Sequence, residues 1–255
     1  LLYINYCEQL SNLESGTLID MYKQVTELRK DWEEGYFCLA KYFDRLLNAT
    51  DIKIEDRPEY MTRIVQNYGI SLKYGSKHVY ESMPRLLSVW LDIGSNCAES
   101  SKFKKNTSID IKYSKACKVL TDFIEKLKSV LPPYLFYTSF SQLISRICHS
   151  NPLISLTLID IIAHLLVQFP QQSMWKIIGV LLNKSNNLRS TQCSKIIEEA
   201  LKVKPNLTKF IEDMKTLSIY LIELCNYIPA EKNSKTFLVS KALPELMKLF
   251  SKGDF

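Results

Sequence analysis

The stretch PLISLTLIDIIAHLLVQF, residues 152–169, is almost continuously apolar and decides between two very different folds. A run of this length could cross a lipid bilayer. Asp160, His164 and Gln168, however, recur at four-residue spacing, which places a polar strip along one side of a helix. An ionised Asp at mid-depth is costly in lipid, whereas a helix that is apolar on most sides is expected between two neighbouring helices. We therefore interpret this stretch as a buried helix of a stacked repeat, and not as a membrane span.

The same helical periodicity extends through the rest of the chain. From residue 31 to residue 47 the apolar residues fall on one helix face, and Asp31 with Glu34 forms a candidate capping box. Thr17 with Asp20, and Asp56 ahead of Pro58, mark two further helix starts. Helices are also predicted at residues 1–11, 17–30, 60–75, 77–97, 108–130, 133–149, 152–168, 171–183, 187–203, 206–227 and 234–252.

The connections between these helices are short, as in antiparallel helix hairpins. Hairpins of roughly 35–45 residues match the size of tetratricopeptide or HEAT units. The sequence thus predicts an all-α fold, an α-solenoid of about twelve helices that runs continuously over residues 1–255 and carries a variable loop near residues 98–108. Pro84 is expected to kink or interrupt its helix.

Composition narrows the function classes. The chain has 255 residues, of which 46% are hydrophobic, and this excludes intrinsic disorder. It starts with Leu1 and not with Met, so we interpret it as a piece of a longer protein. Its seven cysteines are scattered without a Cys-x-x-Cys pair, which favours reduced core thiols over a zinc site or a disulfide framework.

Sequence patterns for catalysis are missing. The chain has no glycine-rich phosphate loop, kinase signature, nucleophile elbow or H-E-x-x-H motif. Cys148 and His149 are adjacent and so face different sides of a helix, while Asp160 and His164 fit a polar strip better than an acid–base pair. We expect no catalytic, cofactor-binding or metal-binding residues.

Two polar strips with an arginine lie opposite apolar helix faces, one with Gln142, Arg146 and His149 and one around Arg85. Such strips can bind a partner's carboxylates or bridge neighbouring helices, and we favour bridging. A specific hypothesis pairs Arg146 with Asp92 or Asp160. The tryptophans, Trp32, Trp90 and Trp175, lie on apolar faces and are interpreted as core residues.

A lysine cluster between residues 102 and 118 leaves a second class of function open. Its members are Lys102, Lys104, Lys105, Lys112, Lys115 and Lys118. They could bind nucleic acid, but no aromatic residues alternate with them as a base-stacking platform requires. We favour a solvated loop leading into a helix, and expect direct nucleic-acid binding to be absent.

Three strings carry a family resemblance. SMPRLLSVWLD at residues 82–92 resembles the Pro-Arg-x-Leu-x-x-Trp-Leu-Asp signature of the FAT domains of phosphatidylinositol 3-kinase-related kinases. FSQLISRICH at 140–149 and FPQQSMW at 169–175 resemble two other elements of that region, although Phe169 and Ser173 depart from the pattern. GYFCLAKYFDRLL at 35–47 and YGISLKYG at 68–75 look most like the ATR-type checkpoint branch.

This resemblance implies a regulatory role for the segment and a reaction located elsewhere. FAT regions are helical solenoids that clamp and support a kinase domain and contribute to dimer and activator contacts. The parent would be a nuclear serine/threonine kinase of the DNA-damage and replication-stress response, using ATP and Mg²⁺, with its catalytic residues beyond residue 255. The family-motif residues, with structural or interdomain roles, would be Pro84, Arg85, Trp90, Asp92, Gln142, Arg146, His149, Gln171, Gln172 and Trp175. The alternative function is a stand-alone HEAT- or tetratricopeptide-type adaptor for protein–protein interaction.

Overall fold

The computed structural model describes residues 1–10, 13–49, 52–102, 108–183, 187–226 and four isolated residues between 238 and 248. Over these residues the chain forms twelve α-helices and no β-strand, which confirms the all-α prediction. The helices are α1 (Leu2–Gln9), α2 (Ser15–Leu28), α3 (Glu33–Asn48), α4 (Arg57–Tyr74), α5 (Val79–Lys102), α6 (Ser108–Val130), α7 (Pro133–Tyr137), α8 (Phe140–Ser145), α9 (Pro152–Gln168), α10 (Pro170–Leu181), α11 (Asn187–Val203) and α12 (Leu207–Cys225).

The chain divides into two compact units, Leu1–Leu165 and Leu166–Phe255. In the first unit each helix from α1 to α5 packs on the next one along the chain, α5 packs on α6, and α4 also contacts α6. In the second unit α10 packs on both α11 and α12. Contacts between consecutive helices and between next-but-one helices are those that stacked helix hairpins make. Continuity of one solenoid over the whole chain stays a prediction.

Helix α5 forms the centre of the first unit. Its side chains Met83, Leu86, Leu87, Trp90 and Ile93 are all fully buried. Apart from the adjacent Leu86 and Leu87, they follow at steps of three or four residues, so successive turns of the helix contact α4 and α6. Fully burying each such side chain contributes on the order of 2 kcal/mol to folding, which makes this helix a major contributor to the core.

Helix α9 is buried on most of its surface, as its sequence predicts. Ile154, Leu158, Ile161 and Ile162 are inaccessible to solvent, while Asp160 is exposed. Within the described residues, no helix is both long enough and apolar enough to cross a membrane.

The capping box predicted at Asp31 and Glu34 is wrong. Helix α3 begins at Glu33 with Trp32 at the N-cap, and Thr17 lies inside α2. Asp56 does occupy the N-cap of α4, with Pro58 in the first turn, but its side chain forms no capping hydrogen bond. The reason at α3 is tertiary: Glu34 accepts hydrogen bonds from Lys77 and His78, so its carboxylate points away from the start of its own helix.

The predicted helix at 133–149 is also wrong, because two short helices, α7 and α8, take its place. At the break the Thr138 hydroxyl donates to the carbonyl oxygen of Leu135 at 2.6 Å, and Ser139 N–H donates to Phe136 three residues back. Such local bonds compete with the helical ladder.

Helix α5, in contrast, is more continuous and ends later than predicted. It passes through Pro84 without interruption and continues to Lys102, inside the predicted loop. The predicted helix at 234–252 lies almost entirely outside the described residues, and Lys104 and Lys105 lie outside them too.

Candidate functional site

Arg85 connects α5 to α3 through a two-point ion pair. Its Nε donates to Asp44 Oδ2 at 2.8 Å, and its Nη2 donates to Oδ1 of the same carboxylate at 2.6 Å. Both side chains are partly buried, and the hydrogen bond to Asp44 raises the pKa of Arg85 above its ordinary value. A guanidinium held in this forked geometry fixes both the distance and the rotation between the two helices.

Three further polar contacts continue along the same interface. Lys41 on α3 pairs with Glu81 on α5 at 3.2 Å. Nearer the start of α3, Glu34 accepts from Lys77 at 2.8 Å and from the imidazole of His78 at 3.0 Å. The hydrogen bonds from Lys77 and then His78 lower the pKa of Glu34.

Trp90 lies at the centre of the core, as predicted. Its ring is fully buried, and its Nε1 donates to the hydroxyl of Thr121 on α6 at 3.1 Å. Thr121 in turn donates to the carbonyl oxygen of Cys117, so every polar atom in this chain of bonds is satisfied. A buried indole that also forms a hydrogen bond fixes the register of α5 against α6.

Gln142 joins α8 to α5 at Pro84. Its amide donates to the carbonyl oxygen of Pro84 at 3.1 Å and to the hydroxyl of Ser88 at 3.0 Å. Ser88 itself donates to the Pro84 carbonyl oxygen. The sequence element around residue 142 therefore recognises the backbone of the element around residue 84.

His149 forms an equivalent bridge about two helix turns further along α5. Its Nδ1 accepts the backbone N–H of Asn151 at 3.0 Å, so its proton resides on Nε2. That Nε2 donates to the carbonyl oxygen of Leu91 at 3.0 Å, with Ser95 Oγ 3.2 Å away. Asn151 then caps α9, because its side-chain oxygen accepts from the Leu153 N–H.

The close approach of α9 to α5 depends on Gly94. A Cβ atom at this position would overlap Ile154 and would lie 3.0 Å from the imidazole Cε1 of His149. We define the α5 motif cluster as Pro84, Arg85, Trp90, Gln142 and His149. Each of these side chains or carbonyl groups is used to position α5 against α3, α6, α8 or the turn before α9.

Arg146 and Asp92 do not join this cluster, and the hypothesis that Arg146 pairs with Asp92 or Asp160 is wrong. Arg146 is exposed and forms no ion pair with any described residue. Asp160 pairs with Lys128 of α6 instead, and Asp92 is exposed. Because α8 ends at Ser145, Arg146 follows the helix and does not continue its polar face.

The third sequence element, at 169–175, lies in the second unit and is only partly exposed, since Ser173 and Met174 are buried. Gln171 and Gln172 are accessible to solvent, and Trp175 is 51% exposed, so its predicted place in the core is wrong. Trp175 lines a groove between α10 and α12, with a volume of about 490 Å³, together with Phe210, Met214 and Leu217. We call this groove the Trp175 groove.

Sequence reasoning missed the partners of the motif residues. Asp44 bonds to Arg85, and Thr121 bonds to Trp90, although each partner lies 31 or more residues away along the chain. Asn151 bonds to His149 within the turn before α9. The sequence offers one weak signal, since Asp44 falls inside the quoted string at 35–47. Among the described residues, no group of three or more His, Cys, Asp or Glu side chains is arranged to hold a metal ion.

Comparison with known families accounts for most of the chain in two parts. Residues 5–88 match the model of the FAT domain, and residues 118–218 match the HEAT repeats of ATR-like serine/threonine-protein kinases. The second match includes the elements at 140–149 and 169–175, which the sequence had linked to the FAT region. HEAT repeats are stacked helix pairs, so the predicted α-solenoid class is confirmed.

Relatives of this chain are much longer proteins. It is 25% identical over 254 residues to the serine/threonine-protein kinase ATR of Drosophila melanogaster, a match that covers 98% of this chain and 9% of that protein. It is 27% identical over 285 residues to the ATR kinase of Oryza sativa subsp. indica, covering 99% of this chain and 10% of the relative. It is 32% identical over 195 residues to protein kinase rad3 of Schizosaccharomyces pombe, covering 71% of this chain and 8% of that kinase.

The chain thus spans about a tenth of the length of the curated relatives that it matches. Its matches agree with each other in family and cover both compact units. The chain belongs to the ATR-type branch of the phosphatidylinositol 3-kinase-related kinase family.

Proposed function

We propose that this chain is the regulatory scaffold of an ATR-like serine/threonine checkpoint kinase, in which it clamps and supports a kinase domain located downstream. The observation that carries the proposal is the α5 motif cluster. Arg85, Gln142 and His149 come from different parts of the sequence, and each bonds to a neighbouring element inside the same unit. Residues used in this way set the shape of a support and do not act on a substrate.

A scaffold whose helices are joined by fixed hydrogen bonds and ion pairs can transmit force. Interiors packed as closely as that around Trp90 deform little, so a partner that binds one repeat shifts the neighbouring repeats as a body. A regulator can then favour the active or the inactive arrangement of the kinase domain without taking part in the chemistry.

The parent protein would be the kinase that this segment supports. Its kinase domain would use ATP and Mg²⁺ to phosphorylate Ser or Thr followed by Gln, in the nucleus, during the response to DNA damage and replication stress. Besides that domain, the partners of this segment would be a second copy of the protein and regulatory proteins. The named kinases among the relatives support this assignment.

The test separates binding from catalysis. The purified 255-residue chain is expected to bind the kinase domain of its own parent protein, and to transfer no phosphate to a Ser-Gln peptide when supplied with ATP and Mg²⁺. In the full-length kinase, Asp44→Ala is expected to lower activity although it lies outside the kinase domain. Phosphorylation of the peptide by the segment alone would refute the proposal.

A stand-alone adaptor is the alternative, and the exposed Trp175 groove is the observation that favours it. An antibody against this segment distinguishes the two functions in a cell extract. An adaptor migrates near the 29.6 kDa of this chain, whereas a kinase segment is detected in a polypeptide many times larger.

A further inference from the structure

A second groove lies between α4 and α6, in the first unit, and no residue of the α5 motif cluster lines it. Its volume is about 410 Å³. Pro58 and Thr62 of α4 and Ala116 and Val119 of α6 contribute apolar surface, and Val119 is 42% exposed. We call it the α4–α6 groove.

Charge is distributed unevenly around this groove. The α6 residues that line it include two exposed lysines, Lys112 and Lys115, and no acidic residue. Lys112 donates to the backbone carbonyl oxygen of Glu55, so its charge is not neutralised by a carboxylate. Lys115 forms no ion pair with any described residue.

The opposite wall, formed by α4 and the residues just before it, has a different character. Glu55 and Glu59 lie along it, and Glu59 pairs with Arg63 at 3.6 Å. The groove therefore has a positive wall, an apolar floor and a wall of mixed charge. Carboxylates are favoured only along the α6 side, where they would meet Lys112 and Lys115.

We propose that the α4–α6 groove binds an amphipathic helix of a partner protein. An apolar side chain of that helix packs on Val119, and its carboxylates face Lys112 and Lys115. A helix can present acidic residues on one flank alone, which matches the uneven charge. A nucleic-acid backbone carries phosphates on both sides and would also meet Glu55 and Glu59. None of the described residues that line the groove is an aromatic on which a base could stack.

This inference is independent of the proposed kinase-supporting role, since an adaptor could use the groove in the same way. The experiment uses the full 255-residue chain and a fluorescent 16-residue helical peptide, with leucines on one face and glutamates along one flank. A second peptide has the same leucines and glutamines in place of glutamates. A short DNA duplex is the third probe.

Two charge reversals form a matched pair of variants. Lys115→Glu changes the groove, and Lys195→Glu makes the same change in net charge at an exposed position on α11, in the other unit. Lys115→Glu is expected to weaken binding of the acidic peptide by about tenfold, while Lys195→Glu leaves it within about twofold. Val119→Asp should also weaken it, because a charge would replace the apolar floor.

Circular dichroism checks that each variant keeps its helix content, as exposed positions should. Equal binding of the two peptides, equal loss in both lysine variants, or absence of peptide binding would each overturn the proposal. Tighter binding of the DNA duplex, lost with Lys115→Glu, would overturn it in favour of nucleic acid.

Discussion

Arg85 shows how one residue of the family pattern acts through tertiary structure. Its guanidinium and the Asp44 carboxylate form two parallel bonds between α5 and α3. The neighbouring pair, Lys41 and Glu81, bonds at one point and is about half exposed on both sides. The two pairs cross the same interface, so they provide a direct comparison of a partly buried fork with an exposed contact.

Arg85→Lys is expected to destabilise the chain by about 1–2 kcal/mol, because a lysine cannot form the two parallel bonds and both groups are only partly exposed. Glu81→Gln should cost under about 0.5 kcal/mol, since exposed pairs contribute little. Urea unfolding followed by circular dichroism measures both. A double-mutant cycle with Asp44→Asn isolates the pair, and a coupling free energy near zero would contradict the structural role of the fork.

Cys117 provides a residue-scale prediction about chemical reactivity. The thiol is buried between α5 and α6, and burial raises its pKa to about 11. Thiolate is the reactive form, so at pH 8 only about one Cys117 in a thousand is reactive, compared with about a quarter of ordinary thiols.

Iodoacetamide at pH 8 is therefore expected to label the exposed Cys225 at least tenfold faster than Cys117, with the sites read by mass spectrometry. Raising the pH towards 11 should increase the Cys117 rate as the thiolate forms, provided that the helices remain folded. In urea the two rates should converge. Equal rates in the native protein would show that Cys117 is accessible.

At the scale of secondary-structure elements, tertiary partners decide how a helix starts, where it breaks and how closely it packs. Helix α3 lacks the predicted capping box because Glu34 is bonded to Lys77 and His78, just before α5. The predicted long helix at 133–149 is divided at Thr138, and this turns Gln142 and His149 towards α5. Small residues set the packing distance, as Gly94 does between α5 and α9.

Gly94→Ala is expected to destabilise the chain by about 1–2 kcal/mol. A methyl group there would force Ile154 and His149 to move within a buried interface, and this outweighs the usual gain from replacing a helical glycine. Gly179 in α10 is the matched control, because nothing lies within 4 Å of the Cβ position.

Gly179→Ala should stabilise the chain by about 0.5–1 kcal/mol, through helix propensity alone. Thermal unfolding followed by circular dichroism compares the two variants under identical conditions. If both alanines raised the melting temperature, the close approach of α9 to Gly94 would be absent in solution.

For the whole molecule, stability should follow the distribution of the core. Helices α4, α5 and α6 contact one another and contain many fully buried side chains. Helix α1 buries only Ile4 and Cys7, and it is attached through the Tyr22 hydroxyl, whose single proton is shared between Asn5 Oδ1 at 2.8 Å and Glu8 Oε2 at 2.9 Å. Amide groups exchange with solvent most slowly where local opening must disrupt the largest packed area.

Hydrogen–deuterium exchange read by mass spectrometry is expected to show the slowest exchange in peptides from α5 and α6, and the fastest helical exchange in α1. Tyr22→Phe removes both hydroxyl bonds and should accelerate exchange in α1 while leaving α5 unchanged. Uniform exchange across all helices of the first unit would argue against a stability gradient.

The sequence by itself determined the all-α class, the family and most helix positions, because hydrophobic periodicity and turn residues act over a few neighbouring positions. The bounds predicted for α6, α9 and α11 agree with the structure. Trp90 also followed from its apolar face, and the approximate bounds of α10 followed from Pro170.

Only the tertiary structure decided which partner each polar side chain has and which surfaces stay open. Arg85 bonds to Asp44, 41 residues away, while Arg146 extends into solvent and Trp175 lines a groove. A periodic pattern shows that a residue lies on a polar or an apolar face, but it contains no information about which helix packs there. That choice depends on contacts between distant parts of the chain, and here those contacts turn one part of the family motif, the α5 motif cluster, into a set of bonds between helices.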